Sequence, residues 1–263
     1  MNKQIKIPIL YIFARSGGTL VNRCLGSISN NVVLSEINPY FSVIPMEEQA
    51  KNWFSLLSPT EYQSLLGQSF INKLEFIIHK ANLLGKKLVI RDWPTPNFLG
   101  NVLGDGSLFP SGLLEQKLYL SHHGFETCPV VISRRSADVY ESLTRTFKQF
   151  HLLSIDEFSL AYLEYAKAVH HYPNFHYEDI CQNPDSYIRQ ICSLLEINYD
   201  SSFANNFWKF TKCTGDNHLN QPSRGFKEEK IVALESNINS DFYIVAMQNE
   251  HCRQADRLLG YVG

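Results

Sequence analysis

The stretch YIFARSGGTLVNRCL, residues 11–25, joins a short apolar run to an amphipathic segment through a polar turn. The apolar residues before Arg15 are typical of a buried strand. After the turn, Leu20, Cys24 and Ile28 recur at i, i+4 and i+8, which predicts a helix. The stretch therefore predicts a strand, a tight loop and a helix in immediate succession.

The loop itself, Ser16-Gly17-Gly18-Thr19, has the composition of an anion-binding turn. Glycines let backbone N–H groups face a ligand without interference from a Cβ, and a helix N-terminus carries partial positive charge. Arg15 adds a guanidinium and Thr19 a hydroxyl. On the loop alone, a plain strand–helix turn that binds nothing is the alternative interpretation. A Walker A motif needs a lysine after the glycines, and its absence here argues against an ATPase or kinase of the common kind.

A second strand–turn–helix lies in VVISRRSADVYESLTR, residues 130–145. Arg134 ends the predicted strand, Ser136 is placed to cap the helix, and Ser142 lies eight positions after Arg134. An arginine forms paired, charge-assisted hydrogen bonds to a phosphate, and a serine on a helix adds a directed hydroxyl. Taken alone, this motif favours the simpler interpretation, in which Arg134 and Arg135 are solvated strand-end residues and Ser142 is a neutral helix residue.

Short apolar runs alternate with amphipathic segments along the chain, which is typical of parallel strands joined by crossover helices. We therefore predict an α/β fold, a P-loop-like three-layer sandwich with a central parallel sheet flanked by helices, as a single domain over residues 1–263. The predicted strands are 7–13, 32–34, 87–91, 130–133 and 175–177. The predicted helices include 158–169, 184–195 and 242–259, with an interrupted helix over 61–84.

Two segments do not follow this alternation. Residues 38–58 are rich in aromatic residues and proline, and residues 92–112 are rich in proline, glycine and asparagine. Long connections in compact domains are often functional lids or binding loops. These segments are therefore predicted to form lids over an acceptor pocket.

With both anion motifs considered, the sequence resembles the sulfotransferases that use 3′-phosphoadenosine 5′-phosphosulfate (PAPS), of a bacterial type similar to the cytosolic and tyrosylprotein enzymes. The 5′-phosphosulfate loop of that family reads R/K-[ST]-G-[ST]-[ST]. The departure here is Gly18, where the family usually has a hydroxyl residue. The resemblance implies that the 5′-phosphosulfate is held by Arg15, Ser16, Gly17, Gly18, Thr19 and Leu20.

The resemblance extends from residue 7 to about residue 225 and implies further nucleotide contacts. Arg134 and Ser142 match the pair that binds the 3′-phosphate. The segment FHYEDICQNPDSYIRQICSLL is similar to the family's YEDL…NPE segment, which implies that Tyr177 lies near the adenine. The late segment GDNHLNQPSRG is similar to a loop that closes over the phosphates, with Arg224 and Gly225 as its matching residues.

The implied reaction is in-line transfer of a sulfuryl group from PAPS to a hydroxyl or amine, with 3′,5′-adenosine bisphosphate (PAP) as product and no metal. Arg15 and the loop would stabilise charge on the leaving phosphate. Two carboxylates are candidates for the general base. Glu36 lies where the tyrosylprotein enzymes carry a glutamate, and Asp92 lies where the cytosolic enzymes carry a histidine. We prefer Glu36 and keep Asp92 as the alternative.

The composition limits the classes of partner that we expect this protein to bind. The net charge is −2 and 19% of residues are charged, which does not favour a nucleic-acid or membrane partner. The basic and apolar N-terminus is too short for a signal peptide, and the six cysteines lack metal-ligand spacing. We expect a cytoplasmic enzyme with a small-molecule acceptor, as a monomer or homodimer. An ATP-dependent P-loop-like kinase and a non-catalytic nucleotide-binding protein are the alternatives, and no motif identifies the acceptor.

Overall fold

The computed structural model of the chain describes residues 6–100, 110–215 and 229–262. Within these residues, five strands form one sheet in the order β2-β3-β1-β4-β5, and every neighbouring pair is parallel. The strands are β1 Lys6–Ile12, β2 Asn31–Ile37, β3 Lys87–Asp92, β4 Glu126–Ser133 and β5 Asn174–His176. The predicted parallel α/β fold is confirmed. Because β1 is central, the loop that follows it lies in the middle of the carboxyl edge of the sheet.

Helices connect the strands and cover the sheet. They are α1 Gly18–Gly26, α2 Met46–Asn52, α3 Pro59–Leu65, α4 Phe70–Leu83, α5 Thr95–Phe98, α6 Glu115–His122, α7 Ser136–Thr146, α8 Ile155–Val169, α9 Tyr177–Gln182, α10 Pro184–Leu194, α11 Phe203–Asn206, α12 Asp241–Gln248 and α13 Glu250–Leu258. Short 3₁₀ turns at Lys148–Phe150 and Phe207–Lys209 come after α7 and α11.

The sheet separates two hydrophobic cores, as strand geometry requires. Successive side chains of a strand point to opposite faces, and in β1 Ile9 and Tyr11 enter one core while Leu10 and Ile12 enter the other. The first core is covered by α4, α8 and α13, and the second by α1 and α10. The three-layer arrangement therefore follows from the uninterrupted apolar run of a strand that is buried on both faces.

The boundaries of several elements differ from the sequence-based expectation. β2 extends to Ile37, so that Glu36 lies within the strand. The predicted helix over 242–259 is two helices, because Asn249 leaves the helical conformation and its side chain accepts a hydrogen bond from the Cys252 amide at 3.1 Å. An asparagine at this position is a strong N-cap, and α13 begins directly after it.

The prediction that Ser136 caps α7 is wrong. Arg135 occupies the N-cap position, and Ser136 is the first residue of the helix. The Ser136 amide and hydroxyl instead donate to the Asp256 carboxylate of α13 at 2.8 and 2.9 Å. Burial raises the pKa of Asp256, against the opposing effect of these bonds. A carboxylate from a distant helix therefore fixes the start of α7, the helix that carries Ser142.

Two further features concern the length of the helices and the state of the cysteines. None of the helices in the described ranges is long and apolar enough to cross a membrane. None of the six cysteines, all of which lie in the described ranges, forms a disulfide.

Candidate active site

The loop after β1 is shaped by close packing around Gly17. This residue has φ of +87°, a left-handed conformation that favours glycine. A Cβ at this position would overlap the ring of Tyr177. Tyr177 is the first residue of α9 and is 5% exposed, and its hydroxyl accepts a hydrogen bond from the Leu234 amide at 3.1 Å. Gly17 thus lets the loop lie directly against an aromatic ring.

The two anion motifs meet at Arg15. Its Nε donates to the Ser142 hydroxyl at 2.9 Å, across 127 residues of sequence. Nη1 of Arg134 lies 3.5 Å from the Arg15 carbonyl oxygen, and the Arg15 guanidinium lies over the Phe147 ring at 5.7 Å. The residues that the sequence assigned to the 5′ and 3′ ends of one nucleotide are therefore neighbours.

Arg134 is held from several sides. It is 6% exposed, and its guanidinium lies 5.0 Å from the centre of the Tyr177 ring. Carboxylates of Asp138 and Glu178 lie 3.5 and 3.9 Å away. The Tyr162 hydroxyl donates to the Arg134 carbonyl at 2.6 Å. An arginine fixed in this way presents its fork of donors in a defined direction.

The remaining loop residues occupy different environments. Ser16 is fully buried, and its amide donates to the Phe13 carbonyl at 3.1 Å. Leu20 packs against the second core. Thr19 faces Gly215, where an added Cβ would lie 2.5 Å from the Thr19 hydroxyl. Gly215 directly precedes residues 216–228, which lie outside the described ranges. Arg224 and Gly225, which the resemblance implied as nucleotide contacts, belong to this segment.

Glu36 stands on a β-bulge. The register between β2 and β3 shifts between Ser35 and Ile37, which leaves Glu36 as the extra residue, with φ of +53°. A bulge redirects a side chain, and here the Glu36 carboxylate turns to accept a hydrogen bond from Arg91 at 2.9 Å. Its side chain is 15% exposed. Two of the described non-glycine residues with positive φ, Arg15 and Glu36, therefore belong to this site.

Arg91 connects Glu36 to the anion loop, and no motif in the sequence identified it as a site residue. A Cβ on Gly18 would lie 2.7 to 2.9 Å from the Arg91 guanidinium. Nη1 of Arg91 also donates to the Ser35 hydroxyl at 3.2 Å. That hydroxyl in turn contacts Thr214 at 2.8 Å. The one sequence feature that could have pointed to Arg91 is Gly18, because the sulfotransferases that the sequence resembles usually have a hydroxyl residue at that position.

Asp92, the other candidate base, lies on the opposite side of the strand. It is 1% exposed, and its surroundings include the hydroxyls of Tyr11 and Tyr165. Burial raises its pKa well above the usual value, and a bond from the Trp93 amide acts in the other direction. The carboxyl is therefore enclosed in the first core, whereas Glu36 faces the loop.

The pKa of Asp92 predicts a pH-dependent stability. Because its pKa is raised in the folded state, the folded protein binds more protons than the unfolded chain at pH values above the ordinary 3.8. This contribution to stability is therefore lost as the pH rises. We expect Asp92→Asn to melt higher than the wild type at pH 8, with a difference that shrinks towards pH 4. Thermal unfolding at both pH values measures this, with the exposed Asp156→Asn as control. An equal difference at pH 4 and pH 8 would contradict it.

Two cavities are lined in part by the segments that follow β2 and β3. A cavity of about 770 Å³ lies between α5, the 3₁₀ turn at Lys148–Phe150 and α8. Its walls include Phe98, Phe150, Leu153, Leu160 and Ala161. A second cavity, of about 300 Å³, is lined by residues that follow Glu36 and by part of α4. The segments predicted as lids, 38–58 and 92–112, each contribute walls to one of them. Of the second segment, residues 101–109 lie outside the described ranges.

Two contacts connect the walls of the larger cavity to the residues around Arg15. Its wall residue Phe98 ends α5, whose first residue, Thr95, accepts a hydrogen bond from the Ala14 amide at 2.8 Å. Its wall residue Phe150 packs edge-on against Phe147, the ring beneath Arg15. Two parts of the cavity wall are therefore linked, through Thr95 and Phe147, to the residues around Arg15.

Within the described parts of the chain, no cluster of three or more histidine, cysteine, aspartate or glutamate residues is arranged to hold a metal ion. The donors that converge at the loop are arginines, hydroxyls and backbone amides. These donors suit an anion.

Comparison with solved structures identifies the fold. The sulfotransferase domain from the curacin biosynthetic pathway superposes with a TM-score of 0.61 at 13% identity, over 99% of each chain. The sulfotransferase domain from the Synechococcus PCC 7002 olefin synthase gives 0.52 at 16% identity, over 100% of this chain and 91% of that one. Mouse sulfotransferase SULT7A1 complexed with PAP gives 0.45 at 12% identity, over 97% and 82%.

The first two likenesses show that the chain has the fold of sulfotransferase domains. By sequence, no family model matches the chain. No curated protein matches it either.

Proposed function

We propose that the protein is a sulfotransferase that moves a sulfuryl group from PAPS to a hydroxyl or amine of a small molecule. The observation that carries this proposal is the meeting of the two anion motifs, in which Arg15 bonds to Ser142 and approaches Arg134. One strand–loop–helix alone fits many phosphates. A second arginine and serine beside it match a nucleotide that carries phosphate at both its 5′ and 3′ positions.

The residues present fit that nucleotide. Gly17 lets the loop lie against the Tyr177 ring, and α1 begins directly after it, so that the helix N-terminus belongs to the loop. Arg134 and Ser142 supply a charged and a neutral donor for the 3′-phosphate. Tyr177, in contact with Gly17 and Arg134, is placed to limit the position of the adenosine. When bound, PAPS supplies the sulfuryl group already linked to a phosphate leaving group.

The protein's own part in the reaction is to bind, orient and accept a proton. The acceptor oxygen or nitrogen forms a bond to sulfur while the bond from sulfur to the bridging phosphate oxygen breaks, and PAP leaves. Glu36 takes the proton of the acceptor, because its carboxylate is partly exposed and faces the loop through Arg91. Asp92 is enclosed and its pKa is raised, which favours the protonated form and makes it the weaker candidate for the base.

The larger cavity is the proposed acceptor pocket. Its volume of about 770 Å³ lies within the range of small-molecule sites, which is roughly 300–1,000 Å³. Most of the lining side chains are apolar, but polar atoms form nearly half of the exposed wall, and the lining includes Glu157 and Glu164. We therefore propose a compact acceptor with an apolar body that places its nucleophile next to Arg15.

Filling this cavity should affect the acceptor and leave the nucleotide unaffected. Leu160 lines the cavity and is half exposed, so Leu160→Trp adds bulk there with little cost in packing. We expect KM for the acceptor to rise by roughly ten-fold, with PAP affinity unchanged. Leu194→Trp, at a similarly exposed leucine of α10, is the control. Equal KM values for the two variants would place the acceptor elsewhere.

The proposed function is tested by following ³⁵S from labelled PAPS into a panel of alcohols, phenols and amines. The expected result is a labelled acceptor with one equivalent of PAP released. Transfer of ³²P from labelled ATP with Mg²⁺, without any sulfuryl transfer, would identify a kinase and overturn the proposal. Tight PAP binding with no transfer to any acceptor would support the non-catalytic alternative.

A further inference from the structure

Gly18 is the residue at which the loop departs from the pattern that it resembles, and its surroundings give a reason. The Arg91 guanidinium, at the end of β3, occupies the space that a side chain at position 18 would need. The nearest atoms to an added Cβ are Nη2 at 2.7 Å, Cζ at 2.9 Å and Nε at 2.9 Å. A serine or threonine at this position would therefore displace the arginine.

Arg91 itself is buried and incompletely satisfied. It is 6% exposed, and two of its nitrogens donate to Ser35 and Glu36. Its Nε is buried, and within the described residues it has no hydrogen-bond partner. A buried donor without a partner costs free energy, and a bound ligand can complete its bonding. This nitrogen lies on the side of the guanidinium that faces Gly18.

We infer that Arg91 donates to the 5′-phosphosulfate and takes the place of the loop hydroxyl that Gly18 lacks. This inference rests on the proposed function. The guanidinium reaches the loop from β3, and it is held on its other side by Glu36 on the bulge of β2. Gly18 is a glycine because only a residue without a Cβ admits the guanidinium at this distance.

The same contact positions the proposed base. Glu36 has an unfavourable positive φ, and its carboxylate is bonded to Arg91 at 2.9 Å. One guanidinium therefore contacts both the carboxylate that receives the proton and the loop that holds the donor group. Arg91 acts as an anion-binding residue towards the nucleotide and as a positioning residue towards Glu36.

The test compares PAP with adenosine 3′-monophosphate, which lacks the 5′-phosphate, by calorimetric titration of the full chain. The wild type is expected to bind PAP more tightly. In Arg91→Met this preference should fall on the order of ten-fold or more, because a charge-assisted bond to the 5′-phosphate is lost. Arg91→Lys should keep part of it. Affinity for adenosine 3′-monophosphate should change little in either variant, which also shows that the variants are folded.

Gly18→Ser provides the second half of the test. In the wild type it should weaken PAP binding, because the new side chain displaces Arg91. In the Arg91→Met background it should be neutral or restore binding, because the clash is removed and the serine supplies a hydroxyl. Additive effects of the two substitutions, or an unchanged preference for PAP in Arg91→Met, would overturn the inference. If the wild type itself shows no preference for PAP, the proposed function fails as well.

Discussion

Replacing Arg134 by alanine is expected to weaken PAP binding on the order of 10- to 100-fold, the usual value of charge-assisted bonds to a phosphate. The reason is the fixed position of this arginine at the start of α7, between the Tyr177 ring and the Arg15 carbonyl. Binding of 5′-AMP, which has no 3′-phosphate, should change far less. Calorimetric titration of both nucleotides against both proteins measures the effect.

Two variants guard this experiment against a general loss of structure. Arg134→Ala leaves the buried Asp138 without its ion-pair partner at 3.5 Å, which is expected to lower the melting temperature. Arg134→Lys keeps the charge, and should retain part of the preference for PAP. Arg189→Ala removes an exposed arginine of α10 paired with Asp185, and should leave both affinities as they are. If Arg134→Ala weakens PAP and 5′-AMP equally, Arg134 does not read the 3′-phosphate.

Replacing Glu36 by glutamine is expected to lower kcat roughly 10²- to 10⁴-fold, the range for loss of a general base. The glutamine has nearly the same shape but cannot accept the proton. PAP affinity should be unchanged or higher, because Arg91 would then keep its charge without a carboxylate partner. Steady-state kinetics, with calorimetry of PAP, separate the two effects.

The comparison with Asp92 decides between the two carboxylates. Asp92→Asn is expected to keep most of its turnover, because Asp92 is buried away from the loop. Glu75→Gln, at an exposed position of α4, controls for the loss of a negative charge. A greater loss of turnover in Asp92→Asn than in Glu36→Gln would transfer the role of base to Asp92. Full activity in both would show that neither is the base.

The sequence predicted the parallel sheet because apolar strands buried on both faces are continuous runs that periodicity detects. It also predicted that Arg15, Arg134 and Ser142 belong to one site, and the structure brings them into contact. Both motifs follow strands of one parallel sheet, so their loops share its carboxyl edge. Local pattern, the family resemblance and topology together were enough to predict that these three residues lie close together.

What the sequence did not give depended on contacts between distant segments. The cap of α7 comes from Asp256, which is 120 positions from Ser136, so the local serine was a misleading signal. The bulge at Glu36 is a register shift between two strands, and no residue of β2 alone reports it. Arg91 appeared to be a strand-end residue because its relation to Gly18 joins β3 to the start of α1. Each of these three features requires the assembled fold.

The central claim is that the loop, Arg134 and Ser142 form one site for a nucleotide with phosphates at both ends. The most direct measurement is calorimetric titration of the wild-type chain with PAP, 5′-AMP and ATP–Mg²⁺ under identical conditions. We expect PAP to bind most tightly, on the order of 10- to 100-fold better than 5′-AMP, and ATP–Mg²⁺ to bind more weakly than PAP. Preference for ATP–Mg²⁺, or equal affinity for PAP and 5′-AMP, would contradict it.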